Sequence, residues 1–340
     1  MANTANHGGE ETTSKAVVFE TLYEGRGRIL SSAQLTQRLN MSRQAVNKII
    51  AALREEGVPI ESIPQKGYRL GDIESAETLS PTLMEYFLRD NPCFGSFIFM
   101  KQAESTQSVI KKYARQNEPE GLVAAAEVQT EGRGRRGRTW QSAAGKNLMF
   151  SVLLRPKLRP GDVQLLNLAA GMAVKKTLIE ECGLACELKW PNDILCGGKK
   201  ICGILSEAAG EPDRLYYAVT GAGVNVNAAA EEIDEELRET ATSIYIETGR
   251  FTPRWRLLAA LLANFAKLLL PLATKDGPSE LISLYRTECD TIGREIKVTQ
   301  DEETFTGRAA DVTTEGALVV ETAEGAKVFV AADVHHLRLA

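Results

Sequence analysis

Histidine is scarce in this chain. His7, His335 and His336 are all it has in 340 residues, so a catalytic or metal site built on histidine has little to draw on. The six cysteines, Cys93, Cys182, Cys186, Cys196, Cys202 and Cys289, form no Cys-x-x-Cys pair. Four of them fall between positions 182 and 202, but at spacings unlike those of zinc knuckles. No structural metal is expected, and the thiols read as the reduced cysteines of a cytoplasmic protein. No apolar run is long enough to span a bilayer, because the stretch 257–272 is interrupted by Asn264 and Lys267. Residues 1–14, MANTANHGGEETTS, lack the apolar segment of a secretory leader and read as a loose, disordered tail. A net charge of −5 argues against indiscriminate nucleic-acid binding by the whole chain. What is plentiful is apolar residue: 44% of the chain, enough at this length for two or three domains with cores of their own.

The charge is unevenly placed. Residues 15–70 carry nine Lys/Arg against five Glu, a local excess of about +4 that leaves about −9 for the remainder. Helices are expected over Lys15–Tyr23, Ser32–Leu39 and Ser42–Glu55, with Ser31-Ser32 and Ser42 as caps and a tight turn at Asn40-Met41. Ala45, Val46, Ile49, Ile50 and Leu53 fall on one face of the third helix, and Arg43, Gln44, Asn47 and Lys48 fall on the other. Those side chains suit base edges and phosphates. Two short strands, 58–63 and 67–70, flank Pro64-Gln65-Lys66 and complete a winged helix-turn-helix. Ser42, Arg43, Gln44, Asn47, Lys48 and Lys66 are the candidate DNA contacts of a domain over 15–72. A three-helix protein-interaction domain is the alternative.

After a linker at 71–77, strands and helices alternate irregularly, as in an α+β domain over 78–288 with a mixed sheet. Ser80-Pro81 opens a short helix. Ser105-Thr106 caps another over 107–116, and 163–181 and 254–270 read as long core helices. Strands are expected at 97–100, 122–127, 148–154, 185–190, 193–196, 201–208 and 215–226.

The chemistry gathers in the connections. Gly132-Arg-Gly-Arg-Arg-Gly-Arg138 packs four arginines and three glycines into seven residues. Like charges this close repel, and glycine lets backbone N–H groups approach an anion, so the loop is expected to stay mobile until phosphate or carboxylate neutralises it. An RNA-binding segment or a solvated basic turn remains open on this stretch alone, and it lacks the Gly-Lys-Ser/Thr ending of a P-loop. Lys189-Trp-Pro-Asn-Asp193 is a rigid turn whose Asn192 and Asp193 present oxygens to a nucleotide or Mg²⁺. Lys199-Lys200-Ile-Cys-Gly203 opens the next strand, and Gly221-Ala-Gly-Val-Asn-Val-Asn227 lets the backbone approach a flat ring or marks a bulged strand.

GRGRRGRTW, KWPNDI, KKICGIL and GAGVNVN, in this order behind a helix-turn-helix, resemble the biotin–protein ligase family, and in particular its bifunctional members that also repress biotin genes. The resemblance covers about residues 15–336. It implies a class II synthetase-like central domain, a C-terminal SH3-like β-barrel over 289–340, and a two-step reaction. Biotin and MgATP give biotinyl-5′-AMP, and the biotinyl group then passes to a lysine of a biotin carboxyl carrier protein. It further implies catalytic roles for Arg135, Lys189 and Lys200. Biotin would be held by Ser105, Thr106, Gln107, Gln129, Arg133, Gly134, Arg135, Lys200, Gly203 and Gly223. ATP and its Mg²⁺ would be met by Arg136, Arg138, Asn192, Asp193 and Asn225. Gln107 stands where the family often has Asn. The family also implies a homodimer, formed when the adenylate orders 129–140 and the acidic loop near 228–240, on operator DNA with two half-sites.

Trp140 reads equally as a lid anchor or as core. The C-terminal residues from Gly293 read as four or five short strands, four of them at 295–299, 304–312, 317–321 and 327–330, and show nothing that looks catalytic. His335-His336 reads as surface. Competing functions are a ligand-sensing regulator without ligase activity, a ligase whose DNA-binding domain is silent, and a lipoate or other acyl-adenylating ligase on the same fold.

Overall fold

The computed structural model describes residues 7–301 and 303–337, with side chains from Ser14 onward. Helix α1 (His7–Glu24) starts within the segment expected to be a loose tail, and residues 1–6 lie outside the described residues. α2 (Ser32–Leu39) begins at a capping box. Ser31 Oγ accepts from Gln34 N–H and the Gln34 side chain accepts from Ser31 N–H, so two orphan donors of the first turn are satisfied. Asn40 at φ 51° ends it in the left-handed conformation that asparagine tolerates. α3 (Arg43–Glu55) is capped by Ser42 and buries Val46, Ile49, Ile50 and Leu53. The antiparallel hairpin β1 (Ile60–Ile63) and β2 (Gly67–Leu70) follows, narrower at its start than 58–63 because only Ile60 onward finds a partner. Gly67, at φ 134°, has no room for a side chain: a Cβ there would lie 2.1 Å from Leu30 O, where Leu30 and Tyr68 exchange backbone bonds.

The linker carries one 3₁₀ turn, Ile73–Ser75, before α4 (Pro81–Leu88), whose N-cap is Ser80. The central sheet contains β3 (Ser96–Met100), β4 (Leu122–Ala126), β5 (Leu148–Leu154), β6 (Cys186–Lys189), β7 (Asp193–Cys196), β8 (Lys199–Glu211) and β9 (Arg214–Val224). Their order is β3-β4-β5-β9-β8-β7-β6, with β3 and β4 parallel and the other neighbours antiparallel, which is the mixed sheet expected. β4 and β5 are apolar nearly throughout because helices cover both faces. Leu122, Ala124 and Leu153 pack with Ile110 and Ala114 of α5 (Thr106–Arg115). Their neighbours Val123, Ala125 and Val152 belong to the larger core with α6 (Gln164–Cys182).

Two elements here carried no sequence-level assignment: the short helix α7 (Ile244–Thr248), and the pairing of the 240–242 segment onto Lys200. α8 (Arg254–Leu272) meets the length and composition of a membrane span, but its Leu257, Leu258, Leu261, Leu262 and Phe265 are buried in this core. Asn264, in the middle of it, bonds Thr177 and Glu180 of α6. α9 (Gly277–Glu288) leads into a five-stranded antiparallel sheet. Its strands are β10 (Glu295–Gln300), β11 (Glu303–Val312), β12 (Leu318–Thr322), β13 (Gly325–Phe329) and β14 (Asp333–His336). β14 is the fifth strand for which the sequence offered no range, since four residues ending in two histidines give no alternation to read. It exists because β10 supplies its partner.

Candidate functional site

The N-terminal ends of α5 and of the Arg/Gly loop meet over β5, β8 and β9, at the seam with the C-terminal sheet. A cavity of about 1750 Å³ opens there, larger than the roughly 300–1000 Å³ that holds a single small ligand.

Its floor is built from hydroxyls and amides. Gln129 Oε1 accepts from Thr106 N–H at 2.7 Å and from Thr106 Oγ1 at 3.1 Å, and Thr106 Oγ1 also meets Ser151 Oγ at 2.8 Å. Ser105 caps α5 through Gln107 N–H, and Gln107 Nε2 donates to Leu205 O at 2.7 Å. Gln107 Oε1 and the indole nitrogen of Trp140 are buried without a partner. Orphaned polar atoms of this kind are costly in a folded protein unless a ligand completes them. Gly203 and Gly223 face each other across β8 and β9. A Cβ on Gly223 would lie 2.3 Å from Trp140 Cε2, and one on Gly203 2.9 Å from Trp140 Cζ3. The glycines therefore admit the Trp140 indole against the strands, which makes Trp140 a wall of the cavity rather than general core.

Cations line the mouth. Lys200 Nζ stands 2.6 Å from Asp193 Oδ1, an ion pair without hydrogen-bond alignment, and 5.6 Å from the Trp140 ring centre. Burial pulls the Lys189 pKa down, with Asp193 opposing and Lys200 adding to the fall. Burial likewise lowers that of Arg135, against the pull of Asp333 and Asp193. Arg135 Nη1 reaches Asn192 Oδ1 at 3.3 Å and Ala332 O at 3.4 Å, both long bonds. Arg133, Gly134 and Arg138 also border the cavity, and Arg136 does not.

The loop was expected to lack order without an anion, and here the protein supplies the anions. Arg136 pairs with Asp301 at 3.2 Å and with Asp333 at 3.6 Å, Arg138 pairs with Asp333, and Trp140 N–H donates to Gly132 O at 2.9 Å. Arg136 takes φ 55° to make this turn. Asn192 and Asn225 were expected to meet nucleotide or metal. Their amides are engaged within the fold, Asn192 Nδ2 with Ile204 O and Asn225 Nδ2 with Thr242 O. Among the described residues no cluster of three or more His, Cys, Asp or Glu is placed to hold a metal ion.

On the N-terminal domain, Arg43, Gln44, Asn47 and Lys48 are exposed on α3, and Lys66 is exposed in the turn between β1 and β2. Asn47 Oδ1 accepts from Tyr68 OH at 2.8 Å, which ties the helix to the hairpin, and Ser42 serves as the cap of α3.

Three family models match along the chain: an HTH domain at residues 16–69, the biotin/lipoate A/B protein ligase family at 99–225, and the biotin protein ligase C-terminal domain at 291–337. A bifunctional ligase/repressor BirA from Bacillus subtilis (strain 168) is 33% identical over 323 residues, 95% of this chain and 98% of that protein. The chain belongs to the biotin protein ligase family. The bifunctional ligase/repressor BirA of Escherichia coli (strain K12) is 30% identical across 87% of this chain and 89% of its own. Among solved structures, the biotin protein ligase of Aquifex aeolicus in complex with biotin and ATP matches with a TM-score of 0.63 at 30% identity, over 72% of this chain and all of that one.

Within this member of the ligase family, the C-terminal sheet takes more part in the site than its sequence indicated. Asp333, Arg294 and His336 border the cavity. His336, expected at the surface, is half-buried in β14, and its Nε2 lies 2.9 Å from Thr291 Oγ1. Burial first, then Arg294 and Lys189, bring its pKa down from 6.5 to about 4. The unfolded chain therefore takes up this proton first. The contribution of His336 to stability should be unaffected above pH 6.5, fall as pH drops from 6.5 through about 4, and level off below. Urea titrations at several pH values should show a shallower loss for His336→Gln than for the native chain over that window. Equal slopes would remove His336 from the account.

Proposed function

We propose that this chain is an ATP-dependent biotin–protein ligase that also acts as a DNA-binding repressor, with biotinyl-5′-AMP as both intermediate and corepressor. The observation that carries the reading is the pairing of two features in one cavity. Its lining holds an unpartnered acceptor, Gln107 Oε1, and an unpartnered donor, Trp140 Nε1, together with Ser105, Thr106 and Gln129. Its mouth holds Arg135, Lys189 and Lys200. A flat ureido ring supplies the N–H and carbonyl that the floor needs, and a carboxylate at the end of an apolar tail then reaches the cations.

The carboxylate oxygen of biotin attacks the α-phosphorus of MgATP, the bond to the bridging oxygen breaks, and pyrophosphate leaves. In the second step the amine of a carrier lysine attacks the acyl carbon, AMP leaves and the lysine loses a proton. No protein nucleophile is needed, so the protein's part is positioning and charge neutralisation. In this scheme Lys200 holds the carboxylate, and Arg135 and Lys189 neutralise the α-phosphate. Arg136 and Arg138 exchange Asp301 and Asp333 for the leaving phosphates. Asp193 orients Lys200 and faces the Mg²⁺ of the nucleotide, while Asn192 positions Arg135.

The remaining assignments belong to the same proposal. They are a domain over 15–72 whose β1–β2 hairpin is the wing on DNA, a ligase domain over 78–288, and an SH3-like domain over 289–340. The adenylate-loaded form is a homodimer on two half-sites, and the compartment is the cytoplasm. Exposed Arg43, Gln44 and Lys48 on α3 and exposed Lys66 in the hairpin turn support the DNA contact.

The test mixes the purified chain with MgATP, biotin and a biotin carboxyl carrier domain, and follows the carrier by mass. One biotinyl increment on one lysine is expected. Bound biotin without transfer would leave a ligand-sensing regulator, and no biotin binding would overturn the reading.

A further inference from the structure

Three consecutive side chains at the start of α8 hold the linker that joins the N-terminal domain to the ligase domain. Arg254 donates to Glu77 O, the Trp255 indole N–H donates to Ile73 O at 3.0 Å, and Arg256 pairs with Glu74 at 3.4 Å. The Trp255 ring lies 4.7 Å from Phe87 of α4, and Phe87 lies 5.5 Å from Tyr23 of α1, so rings run unbroken from the helix-turn-helix to α8.

Arg254 has a second set of partners. It is 2% exposed, and its guanidinium grips Glu127 with two bonds of 2.6 and 2.8 Å while also donating to Asn147 O at 3.1 Å. Glu127 is the residue after β4 and stands two positions before Gln129, at the root of the Arg/Gly loop, where its N–H donates to Met100 O. Asn147 lines the cavity, and its Oδ1 accepts from Val226 N–H just beyond β9. A buried guanidinium needs all of its partners, because losing one leaves charge uncompensated away from water. A shift of the loop root on ligand binding therefore has to be matched at Glu77.

From this we infer that the first turn of α8 is the joint through which occupancy of the cavity reaches the DNA-binding domain. Arg254 is the positioning residue that ties the loop root to the linker. The inference rests on the proposed ligand, biotinyl-5′-AMP formed in place, and assigns the residues that transmit its presence. It requires no new contact between ligand and N-terminal domain.

Hydrogen–deuterium exchange of the linker amides 72–79 tests it on the full chain, with and without biotin plus MgATP. In the native protein the ligand should slow linker exchange about fivefold or more, the range of ordinary coupling between sites. Two variants break the joint from opposite ends: Glu127→Gln on the loop side, and Trp255→Phe with Arg256→Ala on the linker side. Both should keep biotin-dependent pyrophosphate exchange and lose the linker response. Should Glu127→Gln fail to fold, the linker-side pair still decides the matter, since Trp255→Phe keeps most of the buried ring and Arg256 is exposed. A native linker indifferent to ligand, with pyrophosphate exchange intact, overturns the joint alone, as do variants that respond like the native chain. Absence of pyrophosphate exchange overturns the ligase reading and the joint together. Loss of exchange activity and linker response in step, in either variant, would indicate plain structural damage and overturn the assignment.

Discussion

Arg135→Ala is expected to slow biotin-dependent pyrophosphate exchange by about 10²- to 10³-fold, the usual effect of removing one preorganised donor from a developing phosphate charge. The size follows from where the guanidinium sits. It is held at the seam between the Lys189–Asp193 turn and the C-terminal sheet, where burial depresses its pKa and Asp333 and Asp193 oppose the fall. Its bonds to Asn192 Oδ1 and Ala332 O, at 3.3 and 3.4 Å, are long enough that a phosphate oxygen would be the better acceptor. The neighbouring arginines do not replace it, since in the proposed scheme Arg136 and Arg138 leave Asp301 and Asp333 for the departing phosphates and not for the α-phosphate. Arg135→Lys should recover only part of the rate, because an ammonium keeps the charge and loses the fork. The KM for biotin should move less than kcat if, as proposed, the side chain acts on the phosphate. A loss below about tenfold would place the neutralisation on Lys189 or Lys200 instead.

How far the sequence reveals this site depends on whether the signal is local. Ser31, Ser42, Ser80 and Ser105 stand before helical patterns, and each caps the helix expected there, because capping is settled within four residues. The floor residues Ser105, Thr106, Gln107 and Gln129 and the cations Arg135, Lys189 and Lys200 share one cavity, as the ordered motifs implied. Contributions made by pairing across the chain left no such mark. Ser151 is one polar residue in an apolar strand, and its role comes from Thr106, forty-five positions earlier. Asp333 and His336 look like any residues near a terminus until β14 pairs with β10 and turns them to the cavity. Arg254 begins a helix that reads as core, and nothing nearby in sequence announces Glu127 or Glu77. The start of α1 was missed for the opposite reason: Gly8 and Gly9 and a run of polar residues lack both helical propensity and apolar spacing. The loop was expected to close over an anionic ligand, and the anions that Arg136 and Arg138 meet here are Asp301 and Asp333.

Those two aspartates join the loop to the C-terminal sheet at the surface, but the deeper seam depends on Trp190. The indole is fully buried, and its N–H donates to Gly316 O at 2.9 Å in the turn between β11 and β12. Its backbone N–H donates to Thr291 Oγ1 at 3.0 Å, beside Leu188 N–H on Asp290 at 2.7 Å. One side chain thus fills the space between the central sheet and the C-terminal sheet and also fixes Lys189 and Asn192 on either side of it in the chain. Trp190→Ala should cost about 3–5 kcal/mol, as for other aromatic truncations in a core, and leave Gly316 O without its donor. Trp190→Phe should cost less, since most of the volume stays and only the donor is lost. Chemical denaturation read by circular dichroism would measure both. The alanine variant should also lose adenylation in proportion to the misplacement of Lys189, even under conditions where it remains folded. Full adenylation with a large stability loss would mean that the hairpin strands β6 and β7 alone hold the phosphate-facing residues, and that the C-terminal sheet contributes only Asp333 and its neighbours to the mouth.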